Sequence, residues 1–336
     1  MSILLSMRRP WWIGVAVGLA LAPALAAGPA VAAAVRPIPG TPCPAFPADN
    51  AWHAAVSGLP VHPRSAQWLG HMSPTRLLHP DFGGPYGIPI TVVDGTHPKV
   101  PVAFDYADES DAGPYPLGSD TRVEGGQYDS GDRHTVVVDR DACRLYETSA
   151  TGRSGTSWTA GSGAIWDLRS NALRPRGWTS ADAAGLPILP GLLRYDEVSA
   201  GVVDHAIRFT TNVTDRSYVW PARHSAGSVS DPSYPPMGAR FRLKASYDVA
   251  AHSAQAQVVL RAFQRYGLVL ADNGSPWFFQ GATDARWPDA LLDDLKTVPA
   301  SAFEAVDASS LQVSPDSGQV RTAQRCVPLG PWRVHC

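Results

Sequence analysis

The sequence predicts a β-rich protein, a single antiparallel β-sandwich of jelly-roll or lectin-like topology with a few short helices. Three observations lead there. Short runs rich in β-branched and aromatic residues recur along the chain, each bounded by Gly, Pro, Asp or Asn. The 31 prolines and 30 glycines supply many turns between them. The runs follow one another without the alternating helical segments that a parallel α/β sheet needs.

In chain order, the Pro-rich residues 35–50 are expected to lie extended over the domain surface, and residues 65–71 have room for a turn or two of helix. Strands are expected at 88–93, 100–106, 135–139, 144–148, 203–211, 217–220 and 239–247. The clearest helix spans 253–266. Ser253 suits the N-cap, Ala254, Val258 and Ala262 recur every four residues beside Phe263 and Tyr266, and Gly267 supplies a left-handed stop. Residues 268–271 and 277–280 then read as a hairpin around Asp272-Asn273-Gly274. A second short helix is expected at 287–298, with Pro288 in its first turn and Asp289, Asp293 and Asp294 near its start. Beyond residue 307 the apolar pattern gives way to Ser, Gln and Asp.

The first 34 residues read as an export signal: Arg8 and Arg9 precede an apolar run that ends in small residues, with Ala32 and Ala34 placed for cleavage. Pro23 and Pro29 interrupt the run and no stop-transfer charges follow, so no membrane anchor is expected after cleavage. The expected organisation is signal 1–34, β-sandwich 35–307 and a C-terminal tail 308–336 pinned by a disulfide, in a protein secreted to the cell exterior. Cys43, Cys143, Cys326 and Cys336 are even in number and form no CxxC pair, as suits disulfides in an oxidising compartment. Sequence permits three pairings. Proximity favours Cys326 with Cys336, leaving Cys43 with Cys143. The formal net charge is −2, and losing Arg8 and Arg9 makes it more negative, so no nucleic-acid partner is expected. Only Lys99, Lys244 and Lys296 are lysines. The positive charge is therefore nearly all Arg, whose rigid fork grips carboxylates and sugar hydroxyls, although genome composition also produces such a bias.

Several strings carry a resemblance: Phe46-Pro47-Ala48-Asp49-Asn50, Leu78-His79-Pro80-Asp81-Phe82-Gly83, Asp108-Glu109-Ser110-Asp111, Gly131-Asp132-Arg133-His134 and Trp158-Thr159-Ala160-Gly161-Ser162-Gly163-Ala164. Asp204-His205-Ala206 and Tyr218-Val219-Trp220-Pro221-Ala222-Arg223-His224 extend it. Together they resemble a group of uncharacterised secreted bacterial proteins over residues 46–307. The resemblance implies secretion and no particular activity.

HExxH, GxSxG, P-loop and dinucleotide fingerprints are absent, which weighs against zinc-protease, α/β-hydrolase and nucleotide-dependent readings. Residues 105–132 hold eight acids (Asp105, Asp108, Glu109, Asp111, Asp120, Glu124, Asp129 and Asp132) against one base, Arg122, within the first twenty-eight positions up to Asp132 that precede Arg133. Such a loop is a Ca²⁺ candidate through Asp108, Glu109 and Asp111, or simply a solvated acidic loop; its spacing is not that of an EF-hand. His134, His205 and His224 sit at or near strand ends. His205 shares a face with Val203, Ile207 and Phe209, so it is either a packed core histidine or part of a cleft where it meets His134 as acid and base or as a metal ligand. Arg208 lies on the opposite face beside Asp204 and reads as a surface pair or a ligand contact. Lys244, flanked by Arg242 and Ser246, reads as solvent-facing or as the wall of a groove for acidic ligands. Trp158, Trp166 and Trp220, with Arg223 and His224, suit the stacking and hydroxyl contacts of sugars, or else core anchoring.

The leading expectation is a glycoside hydrolase acting on extracellular polysaccharide, with its two carboxyls drawn from Asp105, Glu109, Asp132 and Asp167. The alternatives are a polysaccharide lyase with His134 or His205 as base, a non-catalytic glycan- or Ca²⁺-binding surface protein, and a metal enzyme built on the three histidines.

Overall fold

The strand-forming runs divide among three main sheets. The computed structural model describes residues 35–84, 86–126 and 130–321, together with the backbone of 327–330 and 333–335. Its strands are β1 (His79–Asp81), β2 (Ile90–Val93), β3 (Val102–Phe104), β4 (Thr135–Asp139), β5 (Arg144–Thr148), β6 (Gly152–Ser154), β7 (Ser157–Ala160), β8 (Gly163–Asp167), β9 (Ile207–Thr211), β10 (Arg240–Leu243), β11 (Leu268–Asn273), β12 (Phe278–Gln280), β13 (Phe303–Val306), β14 (Val327–Gly330) and β15 (Arg333–His335). The α-helices are α1 (Ser65–His71), α2 (Tyr195–Ser199), α3 (Ala254–Arg265) and α4 (Asp289–Leu295).

The largest sheet has the order β1-β12-β9-β11-β10-β13, a second β2-β4-β5-β8 and a third β3-β7-β6, while β14 and β15 pair with each other. The β-rich expectation holds. The expected antiparallel sandwich does not describe these sheets, which are mixed: β1/β12, β9/β11, β2/β4 and β3/β7 run parallel. The reason is topological. The chain leaves the second sheet after β2, adds β3 to the third, and returns as β4 beside β2, a crossover that brings it back in the same direction.

The hairpin expected over 268–280 is replaced by a three-strand arrangement, because β9 lies between β11 and β12 and pairs with both. Residues 217–220 form no strand and make one bridge, Tyr218 to Met237. The helix at 254–265 has the expected caps: the Ser253 hydroxyl accepts from the Ala256 amide, and Gly267 takes φ +75°. Its buried stripe is Ala256, Val259, Leu260, Ala262 and Phe263, one step round from the expected one.

That stripe lies in the main core with the alternate residues Ile207 and Phe209 of β9, Phe241 of β10, Leu268 and Leu270 of β11, and Phe279 of β12. Phe263 meets Phe279 edge-on at 5.3 Å, and Phe209 meets Phe241 at 5.5 Å. The other face of this sheet therefore carries Arg208, Thr210 and Gln280. A second core joins Val136, Val138, Leu145 and Trp166 to Ile38, Cys43 and Phe46. The segment 35–50 is thus part of the interior rather than an external strap, because Ile38 and Phe46 bring their own apolar surface to bury.

At the centre of the second core, Glu147 of β5 is fully buried. It accepts hydrogen bonds from the Trp166 indole at 3.1 Å, the Ile188 amide at 3.0 Å and the Leu189 amide at 2.9 Å. It thereby ties the 188–192 turn to the sheet. Burial pushes its carboxyl up to about 7, against the pull of those three donors.

Residues 308–321 remain part of the domain rather than forming a tail. Val320 donates to the Asp49 carbonyl at 2.8 Å, and the Trp220 indole donates to the Ser317 carbonyl at 2.9 Å. The expected signal at 1–34 and the Cys326–Cys336 pair lie outside the described residues. Among the described residues no helix is long and apolar enough to cross a membrane.

Cys43 and Cys143 form the expected disulfide, which closes a separation of 100 residues. Replacing both with Ser is expected to lower unfolding free energy by about 4 kcal/mol through the freed unfolded chain, measured by denaturant titration. Glu147 predicts a pH effect. Its folded value of about 7 lies above the ordinary 4.5, so its contribution to stability is complete below about 4.5 and is lost as pH rises through about 7. Glu147→Gln should flatten that part of the stability curve, and two parallel pH profiles of the denaturation midpoint would count against this account.

Candidate functional site

The face of the six-stranded sheet that points away from α3 is polar. Strand alternation puts Arg208 and Thr210 there on β9. Phe279 pairs with Phe209 in antiparallel register, which places Gln280 beside Arg208, and the parallel register of β1 places Asp81 beside Gln280. On the other side of β9, Asp272 of β11 stands opposite Thr210. Asp81, Gln280, Arg208 and Asp272 thus form a row across four adjacent strands.

Arg208 is only 2% exposed, so its charge must be compensated. Asp182, itself 0% exposed, supplies a bidentate partner: Nε to Oδ2 at 2.9 Å and Nη2 to Oδ1 at 2.8 Å. Asp272 Oδ2 stands 3.8 Å from Nη2 on the same guanidinium. From the second sheet comes a third element. His134, immediately before β4, shares a hydrogen bond through Nδ1 with Glu124 Oε2 at 2.6 Å. The two backbones also lock together, since the Glu124 amide donates to the His134 carbonyl at 2.9 Å and the His134 amide donates to Glu124 Oε2 at 3.2 Å.

These groups titrate apart from one another. Burial, reinforced by the charge of Asp182, pushes Asp272 up to about 7 although Arg208 pulls it down. Burial also raises Asp81, opposed by a hydrogen bond from Gln280. For His134 burial works downward, yet the Glu124 hydrogen bond and charge outweigh it and hold the imidazole above its ordinary value. Burial of Glu124 is likewise overcome by His134, so this carboxylate stays below its ordinary range. The centre therefore holds one carboxyl raised toward neutrality and another held below its ordinary range, both under the field of Arg208. Asp81, Glu124 and Asp272 are half-buried, and so border accessible space. Gln280 Oε1 is buried with no hydrogen-bond partner among the described residues.

A groove of about 690 Å³ adjoins this centre. Its lining includes Arg122, Val123, Gly125, Gly126 and Arg133, the chain neighbours of Glu124 and His134, and Trp158 and Thr151.

The expected site residues are distributed otherwise than the sequence reading had them. Of the proposed acids, Asp105 and Asp132 are exposed loop residues, and exposed Asp167 accepts from the Arg169 amide at 3.0 Å. Glu109 accepts from the Thr179 amide at 2.9 Å and lies 3.9 Å from His224. None of these four is among the groups around Arg208. Asp108 is exposed, and Asp111 is paired with Arg174 and the Ile165 amide, so the Asp108–Glu109–Asp111 trio does not converge as a Ca²⁺ site. Among the described residues no group of three or more His, Cys, Asp or Glu is placed to hold a metal. His134, His205 and His224 face different carboxylates, Glu124, Glu197 and Glu109. His205 is a buried core histidine, bound to the Ala206 carbonyl and to Glu197, which also holds buried Arg194.

Trp158 and Trp166 are buried at 6% and 4% exposure, which removes them as open sugar platforms; Trp220 is half-buried and its indole is engaged by the Ser317 carbonyl. Arg223 is buried and tied to the Arg174 and Pro315 carbonyls and Asp316. Lys244 donates to the Ser301 carbonyl at 2.8 Å, and its neighbour Arg242 pairs with Glu304. Arg208, read from sequence as a surface residue beside Asp204, is instead interior because both faces of its sheet are covered. Of the expected residues, the structure brings His134 and Arg208 to the polar centre, and it adds Asp81, Glu124, Asp182, Asp272 and Gln280. Alternation along β9 is the sequence signal that pointed there. No family model, no curated protein and no solved structure matches this chain.

The Arg208–Asp182 pair generates a clear expectation. Asp182→Ala leaves a buried guanidinium without its main partner and should cost about 3–5 kcal/mol. Thermal and denaturant unfolding check it, and an unchanged stability would show the pair to be dispensable.

Proposed function

We propose that the protein is a secreted glycoside hydrolase acting on extracellular polysaccharide, with Asp272 as proton donor and Glu124 as the ionised carboxylate. What supports this reading is the placement of two carboxyls in unlike surroundings near Arg208: Asp272, 3.8 Å from the guanidinium and pushed by burial up to about 7, and Glu124, bonded to His134 at 2.6 Å and held low by it. Glycoside hydrolysis needs that division of labour, one carboxylic acid for the departing oxygen and one carboxylate for the water. The disulfide and the expected export signal favour an extracellular setting.

In this scheme Asp272 gives its proton to the glycosidic oxygen as the bond to the anomeric carbon breaks. Glu124 accepts a proton from the water that adds to that carbon. One water is consumed, and exchange with solvent returns both carboxyls to their starting states. His134 is a positioning residue: its Nδ1 contact at 2.6 Å orients Glu124 and keeps it charged. The lyase alternative, with His134 as base, fits less well because the imidazole is held toward its protonated form.

Purified protein, assayed for new reducing ends on a polysaccharide panel, should show turnover that falls as pH rises past about 7, where Asp272 loses its proton. Asp272→Asn and Glu124→Gln should each reduce the rate by about 100-fold or more while the fold is retained. Full activity in both well-folded variants, or unsaturated uronate at the new non-reducing ends, would overturn the assignment.

A further inference from the structure

The groove beside the polar centre has a chemistry of its own. It is about 690 Å³ in volume, within the range of roughly 300–1,000 Å³ usual for ligand sites. Among the described residues, three guanidinium groups, from Arg122, Arg133 and Arg153, line it, and no Asp or Glu does. In a protein with net charge −2 such a local excess of positive charge is unusual. Two of the three are held in place by the backbone. Arg133 donates to the Thr151 carbonyl at 2.7 Å and to the Gly126 carbonyl at 3.0 Å. Arg153 donates to the Gly155 carbonyl at 3.1 Å and lies over the Trp158 ring at 5.2 Å, so the indole braces the cation instead of receiving a sugar.

Arg122 is exposed; its backbone amide donates to the Thr91 hydroxyl, and its guanidinium has no hydrogen bond or ion pair among the described residues. The nearby acid that senses it, Asp284, is already gripped by Arg286 at 2.9 and 2.6 Å. Gly126 and Gly155 also line the groove, and a side chain built on either would meet nothing within 4 Å. Their positive φ values of 82° and 59° keep these positions as glycine and leave the walls open.

We infer that this groove binds the anionic groups of an acidic polysaccharide, carboxylates of uronic acids or sulfate esters, with Arg122 and Arg153 as the residues that select for charge. The identity of the bound polymer as carbohydrate rests on the hydrolase reading, whereas the preference for anions rests on the groove. Rigid guanidinium forks match both oxyanions, and Arg153, held by the Gly155 carbonyl and the Trp158 ring, loses less freedom on binding than a mobile lysine would.

Calorimetric titration can test this with three oligosaccharides of equal length, a polyuronate, a sulfated glycan and a neutral glucan, against the wild type and the Arg122→Gln/Arg153→Gln double variant. The wild type should bind at least one acidic oligosaccharide about tenfold or more tightly than the neutral one, with affinity falling as salt is raised. The double variant, whose unfolding midpoint should match the wild type, should lose that difference. The uronate and sulfate arms distinguish the two sources of charge. Equal binding of acidic and neutral chains, or acidic binding unaffected by the double substitution, would overturn the inference. Charge-selective binding without any hydrolysis would leave it standing and remove the hydrolase assignment.

Discussion

A single buried cation organises this protein. Arg208 projects from β9, inside the six-stranded sheet, on the face away from the main core, and is buried where a bare charge could not persist. The connection carrying Asp182 must therefore fold over the sheet, and Ser180 shapes it by donating to the Asp182 carbonyl and accepting from the Asp182 amide. Once the 182 turn is fixed, the chain continues into the 188–192 turn that Glu147 holds by its amides. Two buried ionisable groups on different sheets thus clasp successive parts of one connection. The arrangement is costly in desolvation but defines where the sheets meet.

The segment 122–126 serves both sides of that meeting place. Glu124 turns toward His134 and the field of Arg208, while its neighbours Arg122, Val123, Gly125 and Gly126 turn toward the groove. The polar centre and the groove wall in this way share one short stretch of chain, Glu124 serving the first and its four neighbours the second. Arg133 and His134 repeat the pattern on the facing stretch, with one side chain in the groove wall and the next in the polar centre.

Much of the local structure was legible in the sequence because it depends on neighbours along the chain. The strands Thr135–Asp139 and Arg144–Thr148, the helix Ser65–His71 and the Ser253 cap follow from local pattern and capping chemistry. The order of strands was not legible, since insertion of β9 between β11 and β12 is a long-range event that no local signal encodes. The same limit governs the site. His134 and Arg208 stood out as single residues, but Glu124 lay unremarked within an acidic run, and Asp272 read as a turn residue. What sets them apart depends on the folded surroundings: burial raises Asp272, while the His134 contact holds Glu124 low against its own burial. The tryptophans misled for the opposite reason: polar neighbours in sequence implied exposure, while Trp158 and Trp166 face inward from short strands.

The junction between residues 49–51 and 318–320 has a mechanical meaning. Ala51 donates to the Gly318 carbonyl at 2.7 Å and Val320 to the Asp49 carbonyl at 2.8 Å, while Asn171 bridges from between them to Asn50 and Asp49. The early and late parts of the fold are consequently fastened to each other directly, as a buckle closes a belt. Tension applied between residue 49 and residue 320 therefore falls first on the hydrogen bonds of this buckle.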